Sequence, residues 1–101
     1  MEFEWDDKKE YTNFKKHGVS FDDAILIFND PERIERYDET HTDNEDRWQT
    51  IGAVGEILFL VYVERKNNIR IISARFANSK ERRLYYGDYK TNFDGWYKAD
   101  T

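Results

Sequence analysis

Residues 56–77 read EILFLVYVERKNNIRIISARFA. The run from Ile57 to Val63 is apolar on both faces, as a strand buried in the middle of a sheet requires. Lys66-Asn67-Asn68 then makes a turn, since asparagine tolerates positive φ. The pattern alternates from Asn68 to Ala77, with Ile69, Ile71, Ser73 and Arg75 on one side and Arg70, Ile72, Ala74 and Phe76 on the other. This is a β-hairpin, and the rest of the chain is arranged around it. Upstream, RWQTIGAV (47–54) alternates weakly and joins the hairpin through a turn at Gly55. RIERYDE (33–39), with Ile34 and Tyr37 as apolar anchors, suits an edge strand, and THTDNED (40–46) is a polar loop.

Before the strands lie two helical segments. DDKKEYTNFKKH (6–17) has a capping type at Asp6, acids in its first turn, cations in its last, and Gly18 as a left-handed stop. Tyr11 and Phe14 share one of its faces. Ser20 and Asp23 mark a second start, with Val19 and Ala24 able to form a hydrophobic staple. Phe21, Ala24, Ile25 and Phe28 follow at helical spacing until Asp30-Pro31 stops them. After the strands, Ser79 caps a short helix, KERRLYY, closed by Gly87. The grouping predicts an α+β domain over residues 1–101. Two N-terminal helices pack on one face of a small antiparallel sheet of about four strands, and a short C-terminal helix follows. The tail, 87–101, carries four aromatics without a period, and docking on the core or mobility both remain open for it.

Composition limits the function. Length suits one domain with one core, and 17 aromatic residues argue against disorder. With no cysteine, disulfide scaffolds, thiolate metal sites and thiol nucleophiles are excluded. No apolar run approaches the roughly 20 residues that span a bilayer, and the N-terminus is acidic where a signal peptide is basic, so a soluble cytoplasmic protein is expected. The net charge of −5 hides an asymmetry: residues 1–46 hold 15 acids and six bases, residues 47–90 nine bases and four acids. The total opposes nucleic-acid binding, but contact depends on the field over one face.

Arg70 to Tyr86, RIISARFANSKERRLYY, is the segment richest in chemistry. Arg75 ends a strand, Lys80, Arg82 and Arg83 open the next helix, and Tyr85 and Tyr86 stand one turn on. Guanidinium forks suit phosphate oxygens, and tyrosine rings suit unpaired bases. The same residues also fit a solvated helix with ion pairs around Glu81 and Arg82. His17 beside Lys16 is either an acid–base group or a cation capping a helix end. A His41-Asp43-Glu45 metal site is conceivable in the acidic loop. Glu45 and Arg47 share a strand face, and Trp5, Trp48 and Trp96 suit core or interface packing. No Gly-rich phosphate loop, Ser-His-Asp order or HExxH motif is present.

Three segments resemble a known family. FEWDDKKEYTNFKKHGVSFDDAILIFNDP (3–31), DRWQTIG (46–52) and RIISARFANSKERRLYY (70–86) are similar, in this order and at matching spacing, to motifs of the BrnT family of toxins. The tail from Gly87 onward lies outside the likeness. The resemblance implies a RelE-like ribonuclease fold and the toxin half of a type II toxin–antitoxin pair. It implies a protein that cleaves RNA, arrests growth and is neutralised by a BrnA-like antitoxin, with operator DNA reached only indirectly, through that antitoxin. RNA cleavage without metal or other cofactor needs a base for the 2′-hydroxyl, cations for the phosphate and an acid for the leaving oxygen. On position in the family-like motifs, Arg75 and Arg82 are the expected phosphate stabilisers. His17 or Tyr85 would move the protons, and Lys16, Arg47, Lys80, Arg83 and Tyr86 would hold RNA. An alternative is a non-catalytic module of the same fold that serves as a partner or co-repressor subunit.

Overall fold

The computed structural model describes residues 2–40, 45–91 and 94–100. The order is β1 (Glu2–Glu4), α1 (Asp7–His17), α2 (Phe21–Ala24) running into a 3-10 turn (Ile25–Asn29), β2 (Ile34–Tyr37), β3 (Arg47–Val54), β4 (Glu56–Arg65), β5 (Asn68–Phe76), α3 (Ser79–Tyr85), a 3-10 turn (Asp88–Lys90) and β6 (Tyr97–Lys98). The fold is α+β, as expected, but the sheet is larger and mixed. Its order is β1-β5-β4-β3-β2-β6, antiparallel throughout except for β1, which lies parallel to β5. β1 and β6 are too short for a period to show in sequence. Because β6 pairs with β2, β2 is not the edge strand that its sequence suggested.

Local chemistry explains the helix bounds. The Asp6 carboxylate accepts from the Lys8 and Lys9 N–H groups at 2.9 and 3.0 Å, which holds its pKa below the ordinary carboxylate range, and Gly18 ends α1 at φ 73°. Ser20 Oγ accepts from Asp23 N–H at 3.1 Å and starts α2. That helix lasts one turn before tightening, and Ile27 then packs tightly over Gly52: a Cβ there would lie 3.0 Å from the Ile27 Cβ, so the chain would have to shift to admit one. The hairpin turn falls at Lys66-Asn67, within the expected segment, but the positive φ, 34°, is taken by Lys66 and not by an asparagine.

The helices cover both faces, which corrects the one-face expectation. Val19, Phe21, Ala24 and Ile27 pack on Leu58, Leu60, Tyr62, Ile69, Ile71 and Ala74. On the opposite face Leu84 of α3, with Ala77 and Trp96, packs on Ile34, Ile51, Ile57 and Phe59. The tail therefore docks, through Trp96 and β6.

The expected alternation of β5 also fails midway. Val61 pairs with Ser73 but Tyr62 with Ile71, so Ile72 is an extra residue opposite no partner. This β-bulge reverses the phase. Ile69, Ile71 and Ala74 face α1 and α2, whereas Ser73 and Arg75 join Val61 and Phe59 on the α3 side.

Beyond Arg70, β1 no longer covers β5. The exposed edge is met by Asn13, the one buried side chain of α1. Its Nδ2 donates to the Ala74 carbonyl at 2.8 Å, its Oδ1 accepts from the Ala74 N–H at 3.2 Å, and Nδ2 also reaches the Val19 carbonyl at 3.3 Å. The amide thus pairs as a strand would. Tyr11 and Phe14 point outward instead, 64% and 52% exposed. An Asn13→Ala substitution strands a buried donor and acceptor at Ala74. It is expected to cost about 2–6 kcal/mol, at roughly 1–3 kcal/mol per unsatisfied group, measured by urea unfolding.

Candidate nucleic-acid site

The site grows from the β5–α3 junction. The sequence reading put the cap of α3 at Ser79, but the structure places it one residue earlier, at Asn78. Asn78 Oδ1 accepts from the Glu81 N–H, and Glu81 Oε1 accepts from the Asn78 N–H, both at 2.9 Å. This reciprocal box fixes the Glu81 carboxylate. Arg75, turned to this face by the bulge, donates from Nη1 and Nη2 to both Glu81 oxygens at 2.9 Å. Its guanidinium also lies 4.3 Å from the centre of the Phe59 ring. Phe59 meets Trp96 edge-on at 6.4 Å, and Trp96 carries Arg36 over its ring at 4.7 Å. Arg36 is held by Gln49 Oε1 at 2.8 Å and the Asp94 carbonyl at 3.1 Å. The face therefore presents a cation, two rings and a second cation in a row.

Arg82 adds a second guanidinium, on α3. Its Nη1 donates to the Ala77 carbonyl at 2.8 Å and its Nη2 to Ser79 Oγ at 3.2 Å, so the charge is oriented by neutral acceptors. Lys80 stands 3.9 Å from an Asp94 oxygen, Arg83 is exposed, and Tyr86 is 76% exposed with its ring edge-on to Tyr85. Arg47 shares the Val61–Phe59 face, opposite Val63. Glu45 accepts from Arg65 Nε at 2.6 Å.

Tyr85 points elsewhere. Its hydroxyl donates to Asp30 Oδ2 at 2.6 Å, and the same oxygen accepts from the Ala53 N–H at 2.8 Å. Burial, then the hydrogen bond and charge of Asp30, push the phenol well above its ordinary pKa. Tyr85 is a latch that ties α3 to β3 and to the end of the 3-10 turn. His17 and Lys16 lie on the other flank of β5, in a groove of about 360 Å³ with Lys8, Lys9, Ile72 and Ser73. Of the sequence candidates, Arg75 stands near the end of β5 and Lys80, Arg82 and Arg83 on α3, which follows it, while His17 and Lys16 line the groove beside Ile72 and Ser73. His41 and Asp43 lie outside the described residues. Among the described residues, no three metal-ligating side chains converge.

The family model for the ribonuclease toxin BrnT of type II toxin–antitoxin systems matches residues 5–81. The chain belongs to the BrnT family. This BrnT-family chain is also similar in fold to the 1.1 Å crystal structure of the Brucella abortus ribonuclease toxin BrnT. The two are 24% identical with a TM-score of 0.58, and the likeness covers 78% of this chain and 99% of that one. No curated protein matches significantly. Membership in a ribonuclease toxin family gives this chain an antitoxin as its expected partner. Phe59 and Arg36 escaped the sequence reading as site residues, while Glu81 entered it only as an ion-pairing acid and Trp96 only as core or interface packing.

Asp30 holds its charge against desolvation through Tyr85, the Glu32 and Ala53 N–H groups and Arg33, and its pKa falls below the ordinary carboxylate value. A lowered carboxylate pKa stabilises the fold above the unfolded value and loses that contribution as pH drops below it. Tyr85→Phe is therefore expected to cost about 1.5–3 kcal/mol at pH 7. The difference from the parent should shrink below about pH 4, as read by denaturant unfolding across pH.

Proposed function

We propose that this chain is an endoribonuclease toxin that cuts RNA without a bound metal ion, inhibits translation and growth in the cytoplasm, and is held in check by a BrnA-like antitoxin. Operator DNA is then reached only through the antitoxin, and no membrane takes part. Residues 1–101 act as one domain in this reading. Family membership supports it, and one observation carries it: the strand end and the helix that follows it each bring a guanidinium oriented in advance, Arg75 by Glu81 and Phe59 and Arg82 by the Ala77 carbonyl and Ser79.

The chemistry follows from those groups. The 2′-oxygen of the ribose attacks the neighbouring phosphorus, and the 5′-oxygen leaves. Negative charge grows on the non-bridging oxygens, where forked guanidinium donors act with little reorganisation because they are already oriented. Arg75 and Arg82 take that role. His17 moves protons from the β5 edge, and Tyr85 positions α3. Lys16, Arg47, Lys80, Arg83 and Tyr86 contact RNA. The Glu81 carboxylate keeps the Arg75 plane fixed until phosphate shares its donors.

The full pairing of Arg75 by Glu81 also favours a second reading, a module of this fold that has lost cleavage and serves as a partner or co-repressor subunit. RNA cleavage by the purified chain in EDTA separates the two. The parent is expected to cut. Arg75→Ala and Arg82→Ala are each expected to lower the rate by about 10²–10³-fold, the usual cost of one transition-state donor, while remaining folded by circular dichroism at the assay temperature, with Arg75→Ala melting lower because Glu81 loses its partner. Full activity in both variants overturns the assignment, and an inactive parent that still binds antitoxin establishes the second reading.

A further inference from the structure

The groove between α1 and the β5 edge extends beyond the two residues already given roles there, His17 and Lys16. Lys8, Lys9, Lys16 and His17 line one wall, and Ile72 and Ser73 the other. None of the described residues lining it is acidic, although the chain as a whole is. The wall exists because Asn13 clips α1 to Ala74, next to the bulge that leaves Ile72 unpaired. Ser73 and Arg75 lie on one face of β5 two residues apart, about 7 Å along a strand. The groove therefore opens beside the guanidinium junction.

We propose that this groove is a subsite for the sugar-phosphate backbone of single-stranded RNA, extending the strand past the cleavage point and around the β5 edge. The inference rests on the nuclease reading above and adds a place for the flanking nucleotides. Lysines on flexible stems bind phosphates as point charges without reading bases. Ile72 gives the groove an apolar floor on which a sugar or base can lie, and the Ser73 hydroxyl is a further donor. A local cationic track also explains how a chain of net charge −5 holds a polyanion: the field over the contacted face governs, not the total.

The test uses a 2′-O-methyl RNA of about a dozen nucleotides, which binds but cannot be cut. Its affinity for the intact chain is read by fluorescence anisotropy from about 50 to 200 mM salt. The combined variant Lys8→Ala, Lys9→Ala, Lys16→Ala is expected to bind at least about tenfold more weakly. The slope of log K against log salt should fall by about 2, at roughly 0.7 per lost single-strand phosphate contact. Lys66→Ala, in the β4–β5 turn, is the control and should bind as the parent does. Unchanged affinity and slope in the triple variant overturn the subsite, even if the parent cuts RNA. Groove-dependent binding by a parent that does not cut leaves the subsite standing and removes the nuclease reading. A triple variant that loses the antitoxin but keeps its RNA affinity assigns the groove to the protein partner, which also overturns the proposal.

Discussion

Everything on the α3 side of the sheet depends on one unpaired residue, Ile72. Had β5 kept strict alternation, Arg75 would share a face with Ile69 and Ile71 and point into the layer formed by α1 and α2. A guanidinium there would meet Phe21 and Leu60, with the desolvation penalty that an unpaired buried charge carries. The bulge moves it to the other face, where Phe59 offers a ring and Glu81 a carboxylate. It also disturbs the ladder just where β1 stops covering the strand, so a partner had to come from outside the sheet. Asn13 supplies it, since a side-chain amide carries the same donor and acceptor as a peptide group. One inserted residue thus turns the arginine, opens the edge and sets where α1 must lie.

The electrostatics follow the same economy. Most of the excess acid lies in the N-terminal half and most of the excess base after it. In the fold, a few carboxylates hold cations in place instead of cancelling the surface. Glu81 is the clearest case, because its own geometry is fixed by the helix cap before it touches Arg75. An arginine oriented in advance loses less freedom when it meets phosphate than one waving in solvent. On the opposite face Arg33 is buried against Phe28, Thr50 and Glu35, and Tyr62 donates to the same Glu35. That cation braces the fold and faces away from the junction.

How much of this was legible in the chain varies with the range of the cause. β3 and β4 read to the residue, because an apolar run bounded by Gly55 and a charged turn leaves little freedom. α1 was equally clear, since Asp6 and Gly18 act within one turn. The bulge was not: in IRIISARF nothing local says which residue will go unpaired, because the partner strand decides it. Asn78 and Ser79 are both capping types, and the end of β5 selects between them. The Tyr85 hydroxyl finds Asp30 from 55 positions away, which no spacing rule reaches. The cluster of bases at the β5–α3 junction was visible. Its aromatic backing, Phe59 and Trp96, was not, because each comes from a different element.

Trp96 bears on what the family likeness means for this chain. The family match ends at Glu81, inside α3, so the docked tail lies beyond it. Yet Trp96 is buried, packs edge-on to Phe59 and carries Arg36 on its other side, while the Asp94 carbonyl fixes the Arg36 head and the Asp94 carboxylate faces Lys80. The segment after α3 therefore shapes the cationic face as directly as the matched elements do. It also pairs β6 with β2, so the strand that holds Arg36 is fixed from both sides. The matched segment contributes Arg75 and Glu81. Phe59 and Arg36 also lie within the matched segment, but what holds Arg36 in the row, the Trp96 ring and the Asp94 carbonyl, comes from residues outside the shared pattern acting on the shared sheet.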